Sequence, residues 1–177
     1  HSYIITRVMF MNIVLIGMPG CGKSTVGVLL AKSLMMDFVD TDLIIQRSCR
    51  KSLVDIIKAD GIDGFKKNEN DILKSLGYAN TVISTGGSAV YGGEAMRNLK
   101  SGGVTVYLKL CPESLEARIN NIKTRGIAMQ PGCTLKELYE ERAPLYEKYA
   151  DITIECEGKT VEECVGLIVD AVSKMQP

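Results

Sequence analysis

Residues Gly17-Met18-Pro19-Gly20-Cys21-Gly22-Lys23-Ser24 fit the pattern G-x-x-x-x-G-K-[ST], in which each residue type has its own phosphate-binding task. The glycines let the backbone wrap an anion with its N–H groups pointing inward, Lys23 reaches the β and γ phosphates, and the Ser24 hydroxyl holds Mg²⁺. The chemistry is that of a nucleotide site, with Gly17, Gly20, Cys21, Gly22, Lys23, Ser24 and Thr25 around the phosphates. The Cys21 position asks only for a side chain turned away from the anion, and a thiol without a partner there reads as structural.

Such a loop needs a strand before it and a helix after it. Residues 12–16 are a short apolar run suited to a buried strand, and 24–34 carry the apolar spacing of a helix. The anion then sits at a helix N-terminus, where unpaired N–H groups and the helix dipole favour it. Further along, strand-like runs alternate with amphipathic stretches: strands at 38–40, 81–84, 104–110 and 152–154, helices over 43–57, 64–76, 135–149 and 161–172, and a helix opened by Pro112. This order predicts an α/β fold of three layers, a five-stranded parallel sheet flanked by helices. Ligands of such sheets bind at the carboxyl ends of the strands, so the informative residues follow strands.

Four places qualify. Asp40-Thr41-Asp42 closes the second strand; Asp40 would stand near a metal's water shell while Asp42 bonds an acceptor hydroxyl or draws its proton, although Asp42 would also serve as the N-cap of the next helix. Thr85-Gly86-Gly87-Ser88 follows the third strand, where adjacent glycines admit a ligand close to the backbone or simply make a turn. The stretch of about 119–133 holds Lys123, Arg125, Gly126, Pro131 and Gly132, and reads either as a lid bringing an arginine to the transferring phosphate or as a solvated loop. Arg142, just before Pro144, has the alternative of a surface ion pair.

Length and charge narrow the partner. The chain has 177 residues, enough for one domain with a real core, and its 21 basic residues balance 21 acidic ones. A balanced charge leaves no electrostatic footprint for nucleic acid or a membrane surface, which points to a small molecule. No apolar stretch approaches the roughly 20 residues that span a bilayer. Residues 1–10 begin without methionine and stand before Met11; they read as leader or appended residues outside a single domain of 11–177. The six cysteines form no C-x-x-C pair, and the single histidine is His1, so they read as the scattered reduced thiols of a cytoplasmic protein.

Taken together, the phosphate loop, Asp40-Thr41-Asp42, Phe65-Lys66-Lys67-Asn68-Glu69, the glycine turn, the lid arginine and Arg142-Ala143-Pro144-Leu145-Tyr146 resemble the shikimate kinases from about Met11 to the closing helix. The resemblance implies a monomer with a nucleoside-monophosphate-kinase-like P-loop fold, Mg-ATP as donor, and phosphoryl transfer to a secondary hydroxyl of a small carboxylate ring, most simply shikimate to shikimate 3-phosphate. It further implies that Lys23, Asp42 and Arg125 are catalytic, that Ser24 and Asp40 serve the metal, and that Arg118 and Lys159 lie beside the adenine. The acceptor would be bound by Asp42, Lys66, Gly86, Gly87 and Arg142, with Arg142 on its carboxylate. Three positions depart from the family: Lys66 stands where it has an arginine, Ser88 where it has a third glycine, and Gly126 where a proline follows the lid arginine. An ammonium cannot copy the two parallel bonds of a guanidinium fork, so the changed half is the acceptor's. A P-loop kinase for a sugar acid or other small acceptor, and a nucleotide-binding domain without kinase activity, are the competing readings.

Overall fold

The computed structural model describes residues 11–119 and 126–175. Five strands form one parallel sheet: β1 (Asn12–Ile16), β2 (Asp37–Asp40), β3 (Thr81–Ser84), β4 (Gly103–Lys109) and β5 (Ile152–Glu155), in the spatial order β2-β3-β1-β4-β5. All five residues of β1 are buried, as a central strand covered on both faces requires. Its register sets Ile13 beside Val82 on one side and Val104 on the other, and leaves the ends of β1 and β3 at the same level.

Among the described residues, seven helices flank the sheet: α1 (Lys23–Leu34), α2 (Thr41–Cys49), α3 (Leu53–Leu73), α4 (Gly93–Ser101), α5 (Pro112–Arg118), α6 (Leu135–Tyr149) and α7 (Val161–Lys174). Among these described residues no helix is long and apolar enough to cross a membrane. α1 packs on α7, and α3 on α4. Two capping boxes, Thr134 with Glu137 and Thr160 with Glu163, open α6 and α7 by satisfying N–H groups that a helix start leaves unpaired. α6 continues through Pro144.

The helices between β2 and β3 differ from the sequence reading. The spacing predicts a helix over 43–57; α2 instead runs from Thr41 to Cys49, closed by the left-handed C-cap Arg50 at φ 52°, and Ser52 caps a new helix. The expected break before residue 64 becomes a bend within α3 at Gly61, at φ 72° and ψ 177°. A 3₁₀ turn (Ala89–Tyr91) and helix α4 were not anticipated at all. The reason is long-range: the Ala95 N–H in the first turn of α4 donates to Asn70 Oδ1 on α3 at 3.0 Å, a cap supplied from another helix.

The main core spans the sheet and α1, α6 and α7. Ile45, Leu53, Ile56, Phe65 and Ala128 form a separate smaller cluster under α2 and α3. Cys21, Cys156 and Cys164 are buried, and all six cysteines are free thiols.

Candidate active site

The phosphate loop runs from the end of β1 into α1. Gly22 caps α1 with φ 98°, a conformation that L side chains rarely adopt, while a Cβ on Gly17 would lie 2.7 Å from the Leu108 carbonyl oxygen. Backbone torsion bars side chains at both positions, since Gly17 has φ 146°, and at Gly17 the neighbouring strand adds a second bar. Lys23 is 7% exposed, and its Nζ donates to the carbonyls of Gly17 (2.8 Å) and Met18 (2.9 Å). The Cys21 sulfur is the third partner of this ammonium, at 3.7 Å, and is packed in the core, as a structural thiol would be.

Ser24, in the first turn of α1, meets Asp40 at the end of β2. Ser24 Oγ donates to Asp40 Oδ2 at 2.7 Å, and Asp40 Oδ1 accepts the Asp42 N–H at 2.9 Å. The cap of α2 is thus Asp40, and the Asp42 carboxylate is released toward the ligand side. No group of three or more His, Cys, Asp or Glu residues among the described residues could cage a metal. A hydroxyl and one carboxylate fit Mg²⁺, which takes hard oxygens and completes its shell with phosphates and water.

A cavity of about 520 Å³ opens between the phosphate loop and the glycine turn. Gly20, Gly22, Lys23, Ser24, Thr25 and Arg118 line its nucleotide end, and Asp42, Phe65, Gly86, Gly87, Ser88 and Arg142 the opposite end. Gly86 and Gly87 are glycines because of contact, not torsion: a Cβ on Gly86 would lie 2.6 Å from Asp42 Oδ1 and 2.9 Å from Glu69 Oε1, and one on Gly87 would lie 2.9 Å from Arg142 Nη1. The turn is pressed directly onto two carboxyls and a guanidinium. It is held there by the Tyr146 hydroxyl, which donates to the Gly87 carbonyl at 2.6 Å, and by the Gly86 N–H, which donates to Thr41 Oγ1 at 3.2 Å.

Arg142 is not a surface ion pair. It is 1% exposed, and no carboxylate pairs with it among the described residues. Nη2 donates to the Ala128 carbonyl at 2.6 Å and Nε to the Tyr91 hydroxyl at 3.3 Å. A buried cation without an anion invites one, because removing charge from water is expensive unless it is paired.

The carboxyls opposite it feel the same low polarity. Burial, with Asp40 adding repulsion against the pull of Lys23, raises Asp42 to about 6. Burial likewise pushes Glu69 to about 7, despite a hydrogen bond from the Ser88 hydroxyl. Glu69 Oε1 is buried without a partner. Glu69 and Tyr91 were given no role by the sequence reading, although the spacing of Phe65 and Glu69, four residues apart on one helix, already put them on a common face.

Other assigned residues lie elsewhere. The Lys66 ammonium is 3.7 Å from the centre of the Tyr91 ring and borders a shallower hollow with Lys67, Asn70 and Arg97. Lys159 lies in the turn between β5 and α7, its N–H bonded to the Cys156 carbonyl. Arg125 and residues 120–124 of the expected lid lie outside the described residues, while Gly126 is described and has φ 65°.

The family model described as shikimate kinase matches residues 19–173. The chain belongs to the shikimate kinase family. A shikimate kinase of Haemophilus influenzae is 37% identical over 168 residues, covering 93% of each chain. Among solved structures, a shikimate kinase from Acinetobacter baumannii in complex with shikimate superposes with a TM-score of 0.87 at 29% identity, covering 98% of each chain. A shikimate kinase from Aquifex aeolicus is 38% identical, with a TM-score of 0.77 over 93% of this chain and 96% of its own. A deoxyadenosine kinase from M. mycoides, 14% identical with a TM-score of 0.61, shares the fold alone.

Proposed function

We propose that this shikimate kinase family member transfers the γ-phosphoryl group of ATP to the 3-hydroxyl of shikimate. The observation that carries the reading is the buried, carboxylate-free Arg142, which shares one cavity with Asp42 and the phosphate loop. A carboxylate ring fits between them, its acid on Arg142 and its hydroxyl toward Asp42. A nucleotide-binding module would need neither group at that end.

In this reading ATP lies along the phosphate loop with Arg118 and Lys159 beside the adenine. The Lys23 ammonium exchanges its carbonyl partners for phosphate oxygens and neutralises charge that develops on the transferring group. Ser24 and Asp40 would hold Mg²⁺, Asp40 through the ion's water shell, and the bound ion neutralises phosphate charge. Asp42 Oδ1 accepts the hydroxyl proton as the hydroxyl oxygen bonds phosphorus and the bond to the ADP oxygen breaks. A carboxyl raised to about 6 is better matched to that task near neutral pH than an ordinary aspartate. The Gly86-Gly87 turn sets the floor on which the ring rests. Arg125 is assigned to the lid on the family resemblance. Six free thiols support a reducing, cytoplasmic setting, and the same resemblance supports a monomer.

The test is ATP consumption with shikimate, quinate, sugar acids and nucleoside monophosphates as acceptors. Turnover with shikimate well above the others is expected. Silence with shikimate and turnover with a sugar acid would replace the reading.

A further inference from the structure

Tyr91 ends the 3₁₀ turn that follows the glycine turn, and it touches both cations of the acceptor end. Its hydroxyl accepts from Arg142 Nε at 3.3 Å and donates to Glu141, the residue beside Arg142 on α6. A phenol has one proton to give, and here it goes to the carboxylate while a lone pair takes the guanidinium N–H. The face of the ring carries the Lys66 ammonium 3.7 Å from its centre, and the Arg142 Cζ lies 5.3 Å from the same centre.

Two consequences follow from this placement. Nε is committed to Tyr91 and Nη2 to Ala128, so the guanidinium plane is fixed and Nη1 is the nitrogen directed at Gly87 and the cavity. Lys66 is drawn onto the ring by the attraction of a cation for a π face, and it borders the outer hollow instead of the cavity. The family resemblance leads one to expect an arginine at the Lys66 position. We propose that Tyr91 is a positioning residue for acceptor recognition in this chain: it locks Arg142 through its hydroxyl and retains Lys66 on its ring, so that the acceptor's carboxylate is read by Arg142 alone.

This inference rests on the shikimate reading for its ligand but not for its geometry. The first experiment therefore needs no acceptor. In the unmodified protein labelled with ¹⁵N and ¹³C, the Arg142 Nε–H should exchange slowly with solvent, and the Lys66 Cε protons should be displaced upfield by the ring current of Tyr91. Tyr91→Phe should move the Arg142 Nε–H signal and speed its exchange while keeping the Lys66 displacement, whereas Tyr91→Leu should abolish both. An ordinary Lys66 Cε shift, or an Arg142 signal indifferent to Tyr91→Phe, would overturn the proposal whatever the substrate is.

The second experiment reads function. Tyr91→Phe should raise KM for shikimate roughly 5- to 10-fold, the scale of one ordinary hydrogen bond, with kcat and KM for ATP within about twofold. A merely structural role would lower Tm without that split between KM and kcat, and an unchanged shikimate KM would overturn the proposal. If the unmodified enzyme does not turn over shikimate, the functional reading fails, while the two spectroscopic signatures still decide the role of Tyr91.

Discussion

Asp40 caps helix α2 by accepting the N–H of Asp42 at 2.9 Å, so the second carboxylate of the pair is freed from helix duty. Capping and chemistry are thereby assigned to different residues, and they can be tested apart. Asp42→Asn should lower kcat by roughly 100-fold or more while leaving ATP affinity and Tm nearly unchanged. Turnover measured beside thermal melting checks this. A variant that loses only Tm would return Asp42 to a structural role.

Lys23→Met replaces a buried ammonium by an apolar chain of similar length. The fold should persist, because Met suits a buried site, whereas loss of one preorganised charge at the transferring phosphoryl group costs on the order of 100-fold or more in kcat. Circular dichroism and single-turnover rates together provide the check, and near-normal turnover would remove Lys23 from the mechanism.

Arg142→Lys keeps the charge and loses the planar fork. An ammonium cannot reach the Ala128 carbonyl, the Tyr91 hydroxyl and a carboxylate from one position, so KM for shikimate should rise roughly tenfold or more with KM for ATP little changed. Initial rates over a matrix of both substrates would show it. Equal rises in both KM values would mean a general disturbance of the fold.

Glu69 gives a pH signature. Burial raises its carboxyl from the ordinary 4.5 to about 7, so between those values the folded state holds a proton that the unfolded chain has lost. This group's contribution to stability is present below about pH 4.5 and falls away as pH rises through about 7, by up to roughly 3 kcal/mol. Glu69→Gln keeps an acceptor for Ser88 without a charge. Its Tm should fall less than that of the unmodified protein between pH 5 and 8, and parallel Tm curves would refute the assignment.

Much of this was legible from local pattern. The strand-loop-helix around Lys23, the parallel sheet and the bounds of α6 all follow from short-range signals: an apolar run, a glycine loop, a capping pair, a helical period. What was missed depends on distant partners. Helix α4 is capped by Asn70 from α3, and Arg142 is buried where Ala128, Tyr91 and the glycine turn converge on it. Arg50 also shows the limit of periodicity, since a residue with no turn preference adopts a left-handed φ and divides an apparently continuous helix. The family resemblance puts Lys66 at the acceptor; its stacking depends on Tyr91, a neighbour 25 positions away in sequence.

The smaller cluster of Ile45, Leu53, Ile56, Phe65 and Ala128 gives the acceptor end a foundation of its own. Five side chains cannot match the cohesion of the sheet's interior, so amides of α2 and the first half of α3 should open to solvent at a lower free energy than those of β1 and β4. The molecule is thus graded: a durable nucleotide cradle carries a softer vestibule, and damage confined to the vestibule would leave a protein that still holds ATP but has lost its appetite for a second substrate.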